Sequence, residues 1–181
     1  EVKRRIFAVA NLPKTDIVIT EIGGTVGDYE GTHFIESIRQ MVHDVGRSNV
    51  CYVHVGFLPH LATSEELKTK PLQNSIHDLQ GMGIQPDVVI ARADHPISNR
   101  LLDKIALFGG VERSAVIPLE TVETIYEVPL RFAKFQLDQL ILRKFRLRAR
   151  KTDHRQWADL VRKIKMPKSK TITIGLVGKY M

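Results

Sequence analysis

Thr20-Glu21-Ile22-Gly23-Gly24-Thr25-Val26-Gly27-Asp28-Tyr29-Glu30 is the most informative stretch of the sequence, because it follows an apolar run at residues 17–19. The β-branched run predicts a buried strand. Three glycines within five residues then exclude a regular helix and let backbone amides approach a ligand closely. A carboxylate at the end of a strand beside such a turn suits a hard cation and its phosphates, so Glu21 is a candidate metal ligand. A tight connection with solvated acids is the alternative.

The segments that follow alternate between helical and strand-like patterns. Apolar side chains recur with helical spacing from Phe34 to Val45, which predicts an amphipathic helix that ends at Gly46. Residues 50–55 are rich in β-branched side chains and predict a second strand. A strand, a glycine loop, a helix and a strand make a βαβ unit, which implies a parallel sheet.

The same alternation continues to the end of the chain. It predicts a helix from Pro71 to Gly83, a strand at residues 87–91, a helix over residues 101–108, a strand at residues 115–118, a basic helix over residues 129–148, a helix that Asp153 opens, a linker at residues 165–170 and a new strand at residues 171–177. The predicted fold class is therefore α/β, with a doubly wound, mainly parallel sheet.

Length and composition narrow the class of protein. The 181 residues are enough for one substantial domain, and the apolar fraction of 43% with 26% charged residues is typical of a soluble globular protein. No apolar run reaches the roughly 18 residues that span a bilayer, so no membrane partner is predicted. The single cysteine, Cys51, excludes an internal disulfide and is typical of a reducing cytosol.

The net charge of +7 is concentrated near the C-terminus. Residues 131–170 hold 14 Lys/Arg and 3 Asp/Glu, whereas the remainder holds 13 and 17. Such a basic segment either binds nucleic acid or complements an acidic partner domain. Its few aromatic residues have the spacing of a helical core, so we predict no nucleic-acid partner.

Four clusters of polar side chains follow predicted strands, where a doubly wound sheet binds its ligands. They lie at residues 21–30, 68–73, 92–94 and 119–122. Lys68 and Lys70 precede a predicted helix, and their charges add to the helix dipole and the free amides to favour an anion. Gln73 is suited to a base or sugar edge, whereas a solvated helix end is the alternative for the two lysines. From its spacing alone, Lys104 is a surface lysine in the middle of a helix.

Five motifs occur in one order along the chain. They are Thr20-Glu-Ile-Gly-Gly-Thr-Val-Gly-Asp28, Glu66-Leu-Lys-Thr-Lys-Pro71, Gly83-Ile-Gln-Pro-Asp87, Lys104-Ile-Ala-Leu-Phe108 and Thr124-Ile-Tyr-Glu-Val-Pro-Leu130. The sequence that contains them, residues 17 to about 135, resembles the CTP synthase family. Ile174-Gly-Leu-Val-Gly-Lys-Tyr180 is similar to the first strand of that family's glutaminase domain.

The resemblance implies a role for each matched position. Glu21 matches a magnesium ligand, and Lys104 matches a lysine that binds UTP and CTP. The resemblance implies three further sets of residues. The segment that contacts inhibitory CTP consists of Asp28, Tyr29 and Glu30. The loop that binds UTP and CTP across a subunit interface consists of Lys68, Thr69, Lys70, Pro71, Leu72 and Gln73, and the ATP-binding region consists of Arg92, Glu120, Thr121 and Val122. Tyr29 and Leu72 replace an isoleucine and a threonine of the family pattern, which leaves the shape of their pockets open.

The resemblance also implies a reaction and a domain plan. CTP synthases are ligases that use ATP and Mg²⁺ to aminate UTP with ammonia derived from glutamine, and they are cytoplasmic homotetramers. Residues 1–150 then correspond to the later part of a phosphate-loop NTPase-like amidoligase domain, residues 151–170 to a terminal helix and linker, and residues 171–181 to the start of a glutamine amidotransferase domain. The family's phosphate-binding loop would precede Glu1, so we expect the fragment alone to be inactive.

Two other classes of protein remain possible at this point. One is a related phosphate-loop ATPase or amidoligase, such as a ligase of the biotin pathway. The other is a nucleotide-sensing module that retains CTP contacts without catalysis. The ordered Lys-Thr-Lys-Pro motif favours CTP synthase over the first of these.

Overall fold

The computed structural model describes residues 1–63, 65–148, 152–167 and 172–179. Within them, helices and strands alternate through the middle of the chain. In order they are α1 (Val2–Ala10), α2 (Thr32–Val45), β1 (Val53–Phe57), β2 (His60–Leu61), β3 (Glu66–Leu67), α3 (Lys70–Gly81), β4 (Val88–Ala93), α4 (Asn99–Gly109), β5 (Val116–Glu120), α5 (Val128–Lys134), α6 (Leu137–Lys144) and α7 (Arg155–Lys165).

A three-stranded parallel sheet lies at the centre of this arrangement, in the order β1, β4, β5. In its register Val55 lies beside Ile90, and Ile90 lies beside Ile117. The two-residue strands β2 and β3 form a separate antiparallel hairpin. The predicted α/β class with a parallel sheet is confirmed.

Strand β4 is buried on both faces, which is why it is an almost continuous apolar run. On one face Val89 and Ala91 pack against α3 and α4, in a cluster that includes Ile76 and Ile105. On the other face Val88, Ile90 and Ile117 pack against Leu137 of α6. Burying an aliphatic side chain of this size contributes about 1.5–3 kcal/mol, so these two clusters hold the helices on the sheet.

The predicted helices α2, α3 and α4 are confirmed, and glycine ends two of them as expected. Gly46 follows α2 with a φ of 85°, and Gly110 follows α4 in the left-handed conformation. Both conformations are strained for residues with a Cβ. The predicted strands at residues 50–55, 87–91 and 115–118 are also present, each shifted towards the C-terminus.

The strand predicted at residues 17–19 is not formed, and this prediction was wrong. The segment has no regular secondary structure, and Ile17 and Ile19 are 46% and 92% exposed. A strand is stable only beside a hydrogen-bonded neighbour, and within the described residues no strand pairs with this segment. The β-branched composition indicated a strand, but none of the described strands lies beside this segment to pair with it.

The single helix predicted over residues 129–148 is instead two helices, because Gln136 adopts a φ of 56° between α5 and α6. Phe132 and Leu137 both pack on the same cluster of the sheet. Side chains five positions apart on one helix point about 140° away from each other, so a continuous helix could not place both there. The break turns Leu137 onto the sheet.

The last described segments lie beyond these helices. Asp153 accepts a hydrogen bond from the backbone N–H of Arg155, where α7 begins, and Val161 of α7 is buried. The strand predicted from Thr171 to Val177 is not seen in residues 172–177, which have no regular secondary structure and are exposed. Thr171 and parts of the predicted linker fall outside the described residues, and the assignment to a second domain stays a prediction.

Candidate functional site

Three of the four polar clusters meet where the strands of the sheet end, a region we call the finishing edge. Residues 57–59, 93–94 and 120–121 form it. Backbone hydrogen bonds hold its parts together: Leu58 N–H donates to Arg92 (2.8 Å), Lys68 N–H to Pro59 (2.9 Å) and Thr121 N–H to Ala93 (2.8 Å). The predicted placement of these three clusters is therefore confirmed.

Lys68 and Lys70 stand at the N-terminus of α3, as predicted. Lys70 is its first residue and is exposed, and Pro71 follows in the first turn. The ammonium of Lys68 lies 2.5 Å from the carboxylate of Glu66, whose side chain is 62% exposed. Free amide groups, the helix dipole and two cations at one point favour an anion such as phosphate.

The other side chains of this loop are oriented inwards. Thr69, Leu72 and Gln73 are only 4%, 1% and 2% exposed. The amide of Gln73 donates to the hydroxyl of Thr69 at 2.9 Å, and Leu72 packs in the core beneath α3. In this chain these three side chains hold the loop in place, and their contact with a ligand stays a prediction.

The candidate ATP-binding residues lie at the ends of β4 and β5. Arg92 is exposed at the end of β4, and Glu120 pairs with Ala93 in the register of the sheet. The hydroxyl of Thr121 donates to the carboxylate of Asp94 at 2.5 Å, which ties the two strand ends together. Val122 follows directly and is half-buried.

A pair of histidines at the same edge was missed by the sequence reasoning. The rings of His60 and His95 stack with centroids 3.9 Å apart. His60 follows the end of β1 and His95 follows the end of β4, and these strands are neighbours. The rule that parallel strands end at one edge could therefore have placed the two rings together.

Lys104 lies in the middle of α4 and is exposed, as its spacing predicts. Among the described residues it makes no hydrogen bond or ion pair with another candidate site residue. The exposed ammonium of Lys104 is therefore accessible to a ligand.

The glycine loop is separated from the finishing edge. Its Ile22 and Val26 pack on the cluster of Ile35, Leu79 and Ile84, beside the residues that precede β1 and β4. We call that side, where the strands begin, the starting edge. The expectation that all four clusters share one edge is therefore wrong for residues 21–30. The physical reason is that residues 17–19 do not form a strand of the sheet. The chain therefore does not run along the sheet to the finishing edge before the glycine loop begins.

The loop nevertheless borders a half-open cavity of about 280 Å³, which Glu21, Asp28 and Glu30 line together with Gly23 and Phe34. Asp28 accepts a hydrogen bond from the backbone N–H of Thr25 at 3.1 Å, which closes the turn around the glycines. The ring of Tyr29 is 85% exposed. The cavity thus presents three carboxylates from one short segment.

These carboxylates offer the hard oxygen ligands that magnesium prefers. Within the part of the chain that the structure describes, no group of three or more His, Cys, Asp and Glu side chains could hold a metal ion. Magnesium usually takes one or two protein carboxylates and completes its shell with water and phosphate oxygens. Glu21 therefore fits an ion that is held mainly by the oxygens of a bound nucleotide.

A network of paired charges lies at the starting edge. Asp87 accepts hydrogen bonds from Arg47 (2.7 Å) and from the backbone N–H of Tyr52 (2.8 Å), and Lys144 lies 2.8 Å from it. Burial alone would raise the pKa of Asp87, but the hydrogen bonds from Arg47 and Lys144 outweigh it and lower the pKa. Burial raises the pKa of the nearby Cys51 thiol, which fits a structural side chain.

The sequence is similar to proteins of known function over its whole length. A family profile described as CTP synthase N-terminus matches residues 1–147. Curated CTP synthases of Dehalococcoides mccartyi and of a Roseiflexus species are each 51% identical over all 181 residues, and that of Clostridium kluyveri is 49% identical. The chain covers 33%, 32% and 34% of these three proteins, so it spans about a third of the relatives it matches.

Proposed function

The chain belongs to the CTP synthase family, and from this premise we propose that it is part of the synthetase domain of an enzyme that aminates UTP to CTP. The observation that carries the proposal is identity of about one half over the whole chain to several CTP synthases. In the proposed reaction ATP phosphorylates the 4-oxygen of uracil, ammonia adds at that carbon, and phosphate leaves. Membership of this family also argues against the biotin-pathway alternative.

In this proposal the start of α3 binds the triphosphate of UTP. Lys68 and Lys70 supply two cations beside the free amides of the helix, as phosphate recognition requires. Thr69, Pro71, Leu72 and Gln73 shape the loop, and the exposed Lys104 adds a third cation for UTP and CTP. The same residues serve substrate and product because both carry a triphosphate.

ATP lies against the ends of β4 and β5. Arg92, Glu120, Thr121 and Val122 form the wall around its adenine and ribose, and the bond from Thr121 to Asp94 fixes that wall. Glu21 holds Mg²⁺, which neutralises phosphate charge when it is bound. The proposal requires the glycine loop to approach the finishing edge in the full-length protein.

Inhibitory CTP is recognised by Asp28, Tyr29 and Glu30. Two observations support this: the carboxylates of Asp28 and Glu30 line the cavity of the glycine loop, and the Tyr29 ring is exposed beside it. Carboxylates accept hydrogen bonds from the exocyclic amino group of cytosine, which uracil lacks. This segment therefore distinguishes CTP from UTP.

The proposal extends to the parts of the relatives that this chain does not cover. The enzyme takes ammonia from a glutamine amidotransferase domain that begins near residue 171, and it works as a cytoplasmic homotetramer without nucleic acid or membrane partners. In the described part of the chain, no helix is both long enough and apolar enough to cross a membrane.

The test is CTP formation by the full-length protein from UTP, ATP, Mg²⁺ and ammonium, followed by chromatographic separation of CTP from UTP. We expect product only when all four are present, and none from residues 1–181 alone. A folded full-length protein that binds CTP but forms none would contradict the proposal and favour the nucleotide-sensing module.

A further inference from the structure

The side chain of Leu72 lies beneath the phosphate-binding loop rather than in it. It is 1% exposed and belongs to the core cluster that contains Leu58 and Ile76. Leu72 is the third residue of α3, two positions after Lys70. Any displacement of this side chain therefore acts directly on the first turn of the helix.

The side chain of Leu72 occupies the space beside Gly56 of strand β1, where any other residue would place a Cβ. A Cβ on Gly56 would lie 2.3 Å from Cδ1 of Leu72 and 3.5 Å from its Cγ. The first distance is far below van der Waals contact, so an alanine at this position and the present rotamer of Leu72 exclude each other. Because Leu72 is 1% exposed and packed in the core cluster, a new rotamer has to displace its neighbours.

The same contact is linked to the loop through the backbone. Lys68 donates its N–H to Pro59, and Gln73 donates its N–H to Thr69 at 3.0 Å. The segment between them is thus held at one end by the chain that follows β1 and at the other end by Leu72. The contact between Leu72 and Gly56 of β1 therefore sets the distance between the first turn of α3 and the sheet.

We propose that Gly56 and Leu72 form an interlock that positions the cationic start of α3, so that Leu72 is a positioning residue for nucleotide binding and not a contact of the nucleotide. This inference rests on the proposed function for its ligand, UTP. Gly56→Ala pushes Leu72 outwards and moves Lys68 and Lys70 from their place. Leu72→Ala removes the obstacle, so the second substitution compensates for the first.

The experiment compares Gly56→Ala, Leu72→Ala and the double variant in the full-length protein. Gly81→Ala is the matched control, because it lies at the far end of α3 and a Cβ there has no neighbour within 4 Å. Melting temperature, kcat and KM for UTP are measured with ammonia as donor. Because displaced lysines bind the triphosphate less tightly in the ground state and the transition state alike, we expect Gly56→Ala to raise KM for UTP roughly 10- to 100-fold with kcat nearly unchanged.

The double variant decides between positioning and general destabilisation. We expect its KM to lie below that of Gly56→Ala, and its melting temperature to exceed the value that the two single losses would give together. A KM for Gly56→Ala equal to that of Gly81→Ala, or two effects that simply multiply, would overturn the inference. If the wild-type protein failed to use UTP, the proposed function would fall, and the melting temperatures alone would then decide whether the interlock exists.

Discussion

At the starting edge of the sheet the charged side chains around Asp87 bind one another, whereas Arg92 and Lys70 at the finishing edge face solvent. Asp87 contacts both Arg47 and Lys144, and only 14% of its side chain is exposed. At the opposite edge Arg92 and Lys70 are exposed. The same residue types therefore hold the fold together at one edge and are free to receive a ligand at the other.

This difference follows from the direction of the strands. In a parallel sheet the connections from helix to strand meet at one edge and the connections from strand to helix at the other, where helix N-termini point. The N-terminus of α3 adds positive potential at the finishing edge, so anions are attracted there. We therefore expect the enclosed charge around Asp87 to contribute stability and the open charge at the finishing edge to contribute affinity for a ligand.

The largest expected effect comes from Glu21, whose loop lies away from the finishing edge in this chain. If that loop supplies a magnesium ligand, Glu21→Gln in the full-length enzyme should cost about 3 kcal/mol or more of transition-state stabilisation, roughly 100-fold in CTP formation. The melting temperature should not change, because Glu21 is exposed. The check is the initial rate with ammonia as donor at saturating ATP and UTP.

Asp16→Asn is the matched control, since it changes an exposed acid on the same segment. It should retain the wild-type rate. Wild-type activity of Glu21→Gln would show that the loop takes no part in catalysis. Catalysis would then depend on the finishing edge alone.

The next effect concerns stability at the starting edge. Asp87→Asn should lower the free energy of unfolding by about 2–3 kcal/mol, because it removes hydrogen bonds between charged groups. Chemical denaturation of the full-length protein measures this loss. Asp159→Asn is the control, because its ion pair with Arg162 is exposed and worth less than about 1 kcal/mol.

The contribution of Asp87 also depends on pH. Its pKa is lowered in the folded state, so its stabilisation is fully present above the unfolded value of about 3.9 and is lost as the pH falls through the folded pKa. The difference between wild type and Asp87→Asn should therefore be constant near neutral pH and shrink below about pH 4. A difference that persisted in acid would contradict the assigned cause.

The third effect concerns affinity at the finishing edge. Lys68→Ala should weaken UTP use and CTP inhibition together, since the loss of a charge-assisted phosphate contact costs about 1.5–3 kcal/mol, tenfold or more in affinity. Steady-state kinetics with CTP titrated against UTP measures both. Glu66→Gln removes the carboxylate that pairs with Lys68. It should leave the KM for UTP and the inhibition constant for CTP equal to or lower than those of wild type.

The sequence predicted the elements that local pattern controls. Helices α2, α3 and α4 follow from the spacing of apolar side chains and from Gly46 and Gly110. The meeting of three polar clusters follows from the parallel sheet, because it requires only the order of strands and helices. The prediction of an anion site at Lys68 and Lys70 required only the position of a helix N-terminus, and its occupation by a ligand stays a prediction.

The errors concern interactions between distant parts of the chain. Residues 17–19 have a strand composition, but in the part of the chain that the structure describes no strand lies beside them, and pairing is not encoded locally. The break at Gln136 allows Leu137 to pack against Val88 and Ile117 of the sheet, and these residues are distant in sequence. Asp87 and Arg47 are 40 positions apart, so no motif could have indicated their contact.

The central claim is that the two edges act independently, and the double variant Lys68→Ala with Asp87→Asn tests it most directly. Its free energy of unfolding and its KM for UTP are measured beside those of the two single variants. We expect the double variant to have the free energy of unfolding of Asp87→Asn and the KM of Lys68→Ala. The effects of the two single substitutions should then add within about 0.5 kcal/mol. A larger deviation, or a raised KM in Asp87→Asn by itself, would contradict the separation of stability and binding between the two edges.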